Sequence, residues 1–441
     1  MRERGVHQHA THPMEVPIVG KAIADTVAEV FRGEPDVARD PYPLYARVRE
    51  HAPLLRARAI GPFPAVHLAR YEDVHAALRD GRLSSERPHG GAVPDLEDDA
   101  TPEDREAQAV NLRVGTLSML TKDPPDHTRL RKPVTKAFTP RIVGQQEPMV
   151  QALVDDLLAG AKREAEREGG VDFMRAVAVP LPALVIAVLL GVPQEDWEKF
   201  KAWSDNAITF DPEAGRRGLH NALRLDRYLR DLISQRRAEP RDDLITVLVR
   251  ARDEDDALTE DELIAQCSVI LVGGHETTTV ALGSALALLK KQPELWEAMR
   301  AQPELVPAVV EECVRLESPF QFNTRVAKED LEIGGEAVRA GEFVWMWVAA
   351  ANRDPRRFAN PDVIDPHRAD GKHLAHLAFG GGAHYCLGAT LARLEMRIAL
   401  TTLAQRYPDF RVLDDRVRWR NNIALRGPSA LRVRFGHEAH T

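Results

Sequence analysis

Apolar residues recur at helical spacing over most of this chain and at strand-like spacing over only a small part of it. Asp40-Pro41 opens a helix reading Tyr42 to His51, and Leu54 to Ala69 reads as extended with a break at Gly61-Pro62. A short helix follows over 71–79. Ser84 to Lys122, rich in Asp, Glu, Pro and Gly, is expected to be a long irregular connection, a kind of segment usually tied to function. From Asp126 to Leu289 helical patterns dominate, punctuated at Pro180, Pro193, Pro212 and Pro240, and a helical pair covers Glu294 to Arg315. Extended signals return at 325–327, 331–333 and 343–348. A last helix covers Ala389 to Arg406, and short extended stretches near 410–413 and 431–435 close the chain. These patterns predict a mainly α protein with a smaller β region, in a single large domain without internal repeats.

The longest helical pattern begins with Thr259 as a cap, Glu262 completing a capping box and Leu258 stapling onto Leu263. It persists to about Lys290, roughly 45 Å at 1.5 Å per residue. Leu263 to Val272 is apolar nearly all round, which predicts burial through the middle of the molecule. Its centre reads Gly273-Gly274-His275-Glu276-Thr277-Thr278-Thr279. Two glycines cost a helix about 1 kcal/mol each against Ala, and threonine hydroxyls bond back to carbonyls a turn earlier. Local rules broken in the middle of a core helix point to a functional site. An acid beside an alcohol in a groove is suited to proton relay.

A second candidate is the loop Phe379-Gly380-Gly381-Gly382-Ala383-His384-Tyr385-Cys386-Leu387-Gly388, which runs into the last helix. Glycines let backbone approach a flat ligand. A cysteine just before a helix start sits where N–H groups and the helix dipole stabilise a thiolate. Glu312 and Arg315 lie three apart, in position for a charge-assisted pair on one helical face. His127 and Arg131, in Asp123-Pro124-Pro125-Asp126-His127-Thr128-Arg129-Leu130-Arg131, share another face.

Composition narrows the classes. Hydrophobic residues make up 44% of 441 residues, enough for a substantial core, and the formal net charge of −8 argues against nucleic-acid or anionic-membrane binding. The three cysteines, Cys267, Cys313 and Cys386, are far apart and form no disulfide framework. No uninterrupted apolar run of about 18 residues is present. The polar N-terminus, with His7, His9 and His12, is expected to be a flexible tail over 1–35, and 437–441 a short C-terminal tail. A cytoplasmic protein without membrane insertion is expected.

Over residues 36–436 the chain resembles the cytochromes P450, on four motifs in that family's order. F-x-x-G-x-H-x-C-x-G is similar to its haem-ligating loop, where thiolate pushes electron density toward O–O cleavage. The resemblance implies the P450 fold, with the long central helix over haem b and Cys386 as metal ligand, framed by Phe379 and Gly388. Gly273 to Thr277 resembles the oxygen-activation motif. By that likeness Gly274 widens the helix for O2, Glu276 supplies protons and Thr277 is the stabilising alcohol. Glu312 and Arg315 resemble the structural E-x-x-R pair. A third partner arginine, usual in the following meander, is replaced by Val363, and Arg368 is the candidate substitute. His127, Arg131, Arg325 and His384 are implied to hold the propionates.

The same likeness implies insertion of one oxygen atom into an apolar C–H or C=C bond of a lipophilic molecule. A secondary-metabolite intermediate (polyketide, macrolide, terpenoid or peptide) is the expected class. Pocket walls are expected from the loop 84–120, Val269, Val272, Phe320, Phe322, Asn323 and Ala424. Electrons are expected ultimately from NAD(P)H through a separate ferredoxin or flavodoxin, which a basic patch of Arg129, Lys132, Lys136 and Arg393 would suit. A monomer is expected. Two alternatives stand: a peroxide-driven peroxygenase, against which Glu276-Thr277 argues, and a non-catalytic haem-binding sensor, which needs no proton relay.

Overall fold

The computed structural model describes residues 39–51, 54–57, 65–86, 100–204, 212–253, 258–368, 375–422 and 424–438. The expected N-terminal tail, Ile423 and residues 439–441 lie outside that set. Helix α1 (Tyr42–His51) and the 18-residue helix that closes the molecule, Ala389–Arg406, have the limits expected from their apolar period. The long central helix runs from Glu260 to Leu289. The Thr259 hydroxyl accepts from Glu262 N–H at 3.2 Å while the Glu262 carboxylate accepts from Thr259 N–H at 2.8 Å, the reciprocal cap that its sequence predicts.

Among the helices that lie before it are α2 (Pro102–Leu117) and α3 (Asp126–Ala137). The irregular connection expected over 84–122 is corrected by α2 and by a 3₁₀ turn at Met119–Thr121. Thr101 caps α2, Pro102 fills its first turn, and Asp104 returns a carboxylate to the Thr101 N–H at 2.8 Å. Its apolar face is slight, and it packs both on the central helix and on a neighbouring helix. That neighbour is α5 (Pro212–Ala238), which follows α4 (Pro180–Leu190). Ala107 and Val110 meet Leu219 and Leu223 in a small apolar seam of their own. Ion pairs Arg113–Asp226 (2.7 Å) and Arg227–Glu106 (2.9 Å), and His220 against Asp104 (2.8 Å), flank it.

The central helix becomes α6, with α4 packed against it. It is followed by α7 (Val306–Leu316) and the closing helix α8. Buried Gln266 of α6 holds the end of α2 and the 3₁₀ turn after it: its amide donates to the Leu117 carbonyl at 3.0 Å and accepts from the Met119 N–H at 2.9 Å.

The β region is a five-stranded sheet built from β1 (Leu54–Ala57), β2 (Ala65–Leu68), β3 (Leu83–Ser84), β4 (Asn323–Ala327) and β5 (Phe343–Met346), in the order β1-β2-β5-β4-β3. Only β2 and β5 pair in parallel. One face of this sheet carries an aromatic cluster in which Phe322 lies 4.5 Å from Trp345, Trp347 lies 5.3 Å from Tyr45, and the Trp347 indole donates to His67 Nδ1 at 3.0 Å. Phe322 and Ala424, expected as pocket walls, are buried in this cluster. Phe320, bridged to Leu425, and Asn323 are half-buried.

Candidate active site

α6 is buried along almost its whole length, yet one stripe at its centre is accessible. Val269, Val272 and Thr277 are half-buried and Gly273 is exposed, residues that recur at about one helical turn. Thr277 Oγ1 donates to the Gly273 carbonyl at 2.9 Å, which holds the hydroxyl on that stripe. Glu276, 7% exposed, is its immediate neighbour in the chain.

The two glycines divide their work differently from the sequence expectation. A Cβ on Gly274 would stand 2.6 Å from Ile186 Cδ1, so Gly274 makes room for α4 rather than for a ligand. A Cβ on Gly273 meets nothing within 4 Å, and Gly273 is the residue that opens the groove. Gly274→Ala is therefore expected to destabilise by about 1–3 kcal/mol through overpacking. Gly273→Ala should stabilise the helix by about 1 kcal/mol while narrowing the groove. Denaturant titration of the two variants checks the opposite signs.

The cysteine loop is built on left-handed glycines. Gly382 has φ +63°, and a Cβ there would lie 2.7 Å from the Leu78 carbonyl oxygen, so this turn admits no side chain. The Cys386 N–H donates to the Phe379 carbonyl at 2.9 Å and closes the loop. Cys386 is accessible in a space that protein otherwise surrounds. That enclosure pushes its thiol up, opposed by the amides of Gly388 and Ala389 and by Arg131 and Arg393. Gly388 is the N-cap of α8. The loop is thus aimed at the space by backbone, and its sulfur meets donors and cations.

Four polar side chains gather near it. His127 and His384 rings lie 4.2 Å apart, and His384 Nε2 is 2.9 Å from the Ser85 hydroxyl. Arg131 donates to the Tyr385 carbonyl at 2.6 Å. His127 is held below the ordinary histidine range by burial and by Arg131 and Arg325. His384 is lowered to about 3 by burial, Arg325 and His127. Burial is the main cause of both shifts, and the neighbouring cations Arg131 and Arg325 add to it. His127 Nε2 is buried without a hydrogen-bond partner, which native proteins rarely leave so. A bound carboxylate would satisfy it.

Below the loop lie two ion-pair systems. Arg315 and Glu312 form a buried bidentate pair at 2.6 and 2.9 Å. Arg368 Nε reaches Glu312 at 3.0 Å and occupies the place left by Val363, whose carbonyl accepts from Arg315 at 3.1 Å. The second system had no sequence signal. Glu311 binds Arg393 and, at 3.1 Å, His376 Nε2, and these partners pull its carboxyl down to about 2 against the effect of burial. Its contribution to stability is complete above its ordinary value of 4.5 and is lost as pH falls toward about 2. Acid unfolding of Glu311→Gln is expected to show a flatter limb over that window than the parent protein.

The expected basic patch is also corrected in part. Arg129 is paired with Glu262 at 2.6 Å and Arg393 with Glu311, so both hold the fold together. Lys132 and Lys136 are exposed.

These residues fit an iron protoporphyrin. An accessible cysteine offers a ligand, a positive cluster with an orphaned imidazole offers a place for acidic groups, and the α6 stripe offers an open face. The Cytochrome P450 family model matches residues 96–418. Nocardicin C N-oxygenase of Nocardia uniformis subsp. tsuyamanensis is 41% identical over 408 residues, covering 91% of this chain and 97% of that protein. Cytochrome P450 monooxygenase PikC of Streptomyces venezuelae is 38% identical over 414 residues, 92% of this chain and 94% of its own. The structure of tirandamycin C-bound P450 monooxygenase TamI superposes with a TM-score of 0.80 at 38% identity, covering 91% of this chain and 99% of that one. The chain belongs to the cytochrome P450 family and is a haem-dependent monooxygenase.

Proposed function

We propose that this cytochrome P450 oxidises a lipophilic secondary-metabolite intermediate at an apolar C–H or C=C bond. The observation that carries the reading is the accessible stripe of Val269, Val272, Gly273 and Thr277 on a helix otherwise buried, in a fold that also leaves Cys386 open. Haem, when bound, supplies dioxygen activation. Cys386 would be its ligand, and His127, Arg131, Arg325 and His384 would hold its propionates, because buried carboxylates need such partners.

Val269 and Val272 offer the substrate an apolar wall and exclude water from it. Thr277 keeps a hydroxyl at the groove, with its proton given to the Gly273 carbonyl and its oxygen lone pairs available as acceptors. Glu276 is the proton source beside it. The names of the nocardicin and tirandamycin relatives support a secondary-metabolite substrate. Electrons come ultimately from NAD(P)H through a separate ferredoxin- or flavodoxin-type protein in the cytoplasm. Among the described residues no helix is long and apolar enough to cross a membrane.

The test is the absorption spectrum of the reduced protein with carbon monoxide, followed by substrate screening through spin-state shifts. A strongly red-shifted Soret band is expected. A band typical of histidine or neutral thiol ligation overturns the assignment of Cys386.

A further inference from the structure

We propose that Arg393, clamped by Glu311, is a positioning residue that sets the cysteine loop and through it the redox poise of the site. The inference rests on the haem-thiolate reading above. Arg393 stands on α8, beyond the loop, and its guanidinium uses every edge. Nε and one terminal nitrogen reach the two oxygens of Glu311 at 2.5 and 2.9 Å, and the other terminal nitrogen is 3.2 Å from the Tyr385 hydroxyl. The plane covers the Phe379 ring at 4.3 Å. Phe379 opens the loop and Tyr385 precedes the ligand, so one rigid cation touches both limbs.

Glu311 is itself held. His376 Nδ1 accepts from the Ala378 N–H at 3.2 Å, so its Nε2 carries the proton and donates to Glu311 at 3.1 Å. The network therefore runs from α7 through His376 and Arg393 into the loop at Ala378, Phe379 and Tyr385. It is separate from the Glu312–Arg315–Arg368 system, which grips the meander carbonyls of Asn352, Pro361 and Val363.

An ammonium cannot reproduce the fork and the stack together. Arg393→Lys, which keeps the charge, therefore separates positioning from docking of an electron donor. The experiment compares the holoprotein with Arg393→Lys and Glu311→Gln by haem content, by the carbon monoxide spectrum of the reduced state, and by midpoint potential. Both variants are expected to lose part of the thiolate-type band. Both should also change the ratio of ferric to ferrous haem affinity by up to tenfold, which is about 59 mV for a one-electron couple.

An unchanged spectrum and potential in Arg393→Lys, with only slower reduction by the donor, overturns the proposal and makes Arg393 a docking cation. If Arg393→Lys fails to fold, Tyr385→Phe and Phe379→Leu each remove one loop contact and leave the Glu311 pair intact. An unchanged potential in both overturns the proposal equally. Absence of the thiolate band in the unmodified protein would instead sink the haem-thiolate reading itself.

Discussion

Arg315→Met is expected to lower stability by roughly 3–5 kcal/mol, because one half of a buried ion pair is removed and the other half stays. Arg315 is fully buried, and its five N–H donors have five acceptors: both Glu312 oxygens and the carbonyls of Asn352, Pro361 and Val363. Methionine fills part of the volume and satisfies none of them. Glu312 then depends on Arg368 and on the Asp365 N–H at 2.9 Å. Arg315→Lys restores the charge but at most three donors, so recovery should be incomplete. Guanidinium titration of both variants checks the order. A loss below about 1 kcal/mol for Arg315→Met would class this pair with exposed salt bridges and contradict its role as the buckle of the meander.

Glu276→Gln is expected to reduce turnover by about 10²–10⁴-fold, the usual value of a positioned acid. Thr277→Ala should act differently. It removes the hydroxyl that the Gly273 carbonyl holds on the groove, so oxygen and NAD(P)H consumption should continue while product per oxygen falls. Measured together, product yield and peroxide release distinguish slow proton delivery from uncoupling. Thr277→Ala with product yield intact would remove Thr277 from the relay. Peroxide-supported turnover should be less sensitive to both changes, since peroxide brings its own protons.

The long elements were legible because period and caps agree in them. Thr259 with Glu262 marks the start of α6, and the apolar run behind it has no polar face to misassign. The fold of the cysteine loop was likewise readable, since glycines and a cysteine before a helix leave few other arrangements. α2 was hidden for a physical reason. Its cap uses Asp104 rather than glutamate, and the residues it buries, Ala107 and Val110, are small, so its apolar period is faint although it packs on both α5 and α6. The two central glycines could not be told apart by sequence, because only Ile186 on α4 decides which of them faces protein. Phe320 and Phe322 alternate on one strand-like pattern, and the sheet face occupied by Trp345 claimed Phe322. Arg393 looked like a surface cation because Glu311 lies 82 positions away in the chain.

The pair formed by α2 and α5 is held to the rest of the molecule unevenly. The seam of Ala107, Val110, Leu219 and Leu223 is a cluster apart, flanked by the exposed Arg227–Glu106 pair, whereas the later turns of α5 enter the main core through Leu225, Leu229, Leu232 and Ile233. Opening at the seam alone gives up only four small or medium apolar side chains, so its free energy lies below that of opening the main core. Amide protons beside the seam, in α2 around Ala107 and in α5 around Leu219, should exchange before those of the later turns of α5 and of α6, and added salt should speed them by screening Arg227–Glu106. One edge of the helix pair then loosens locally while the helices beneath it keep their packing.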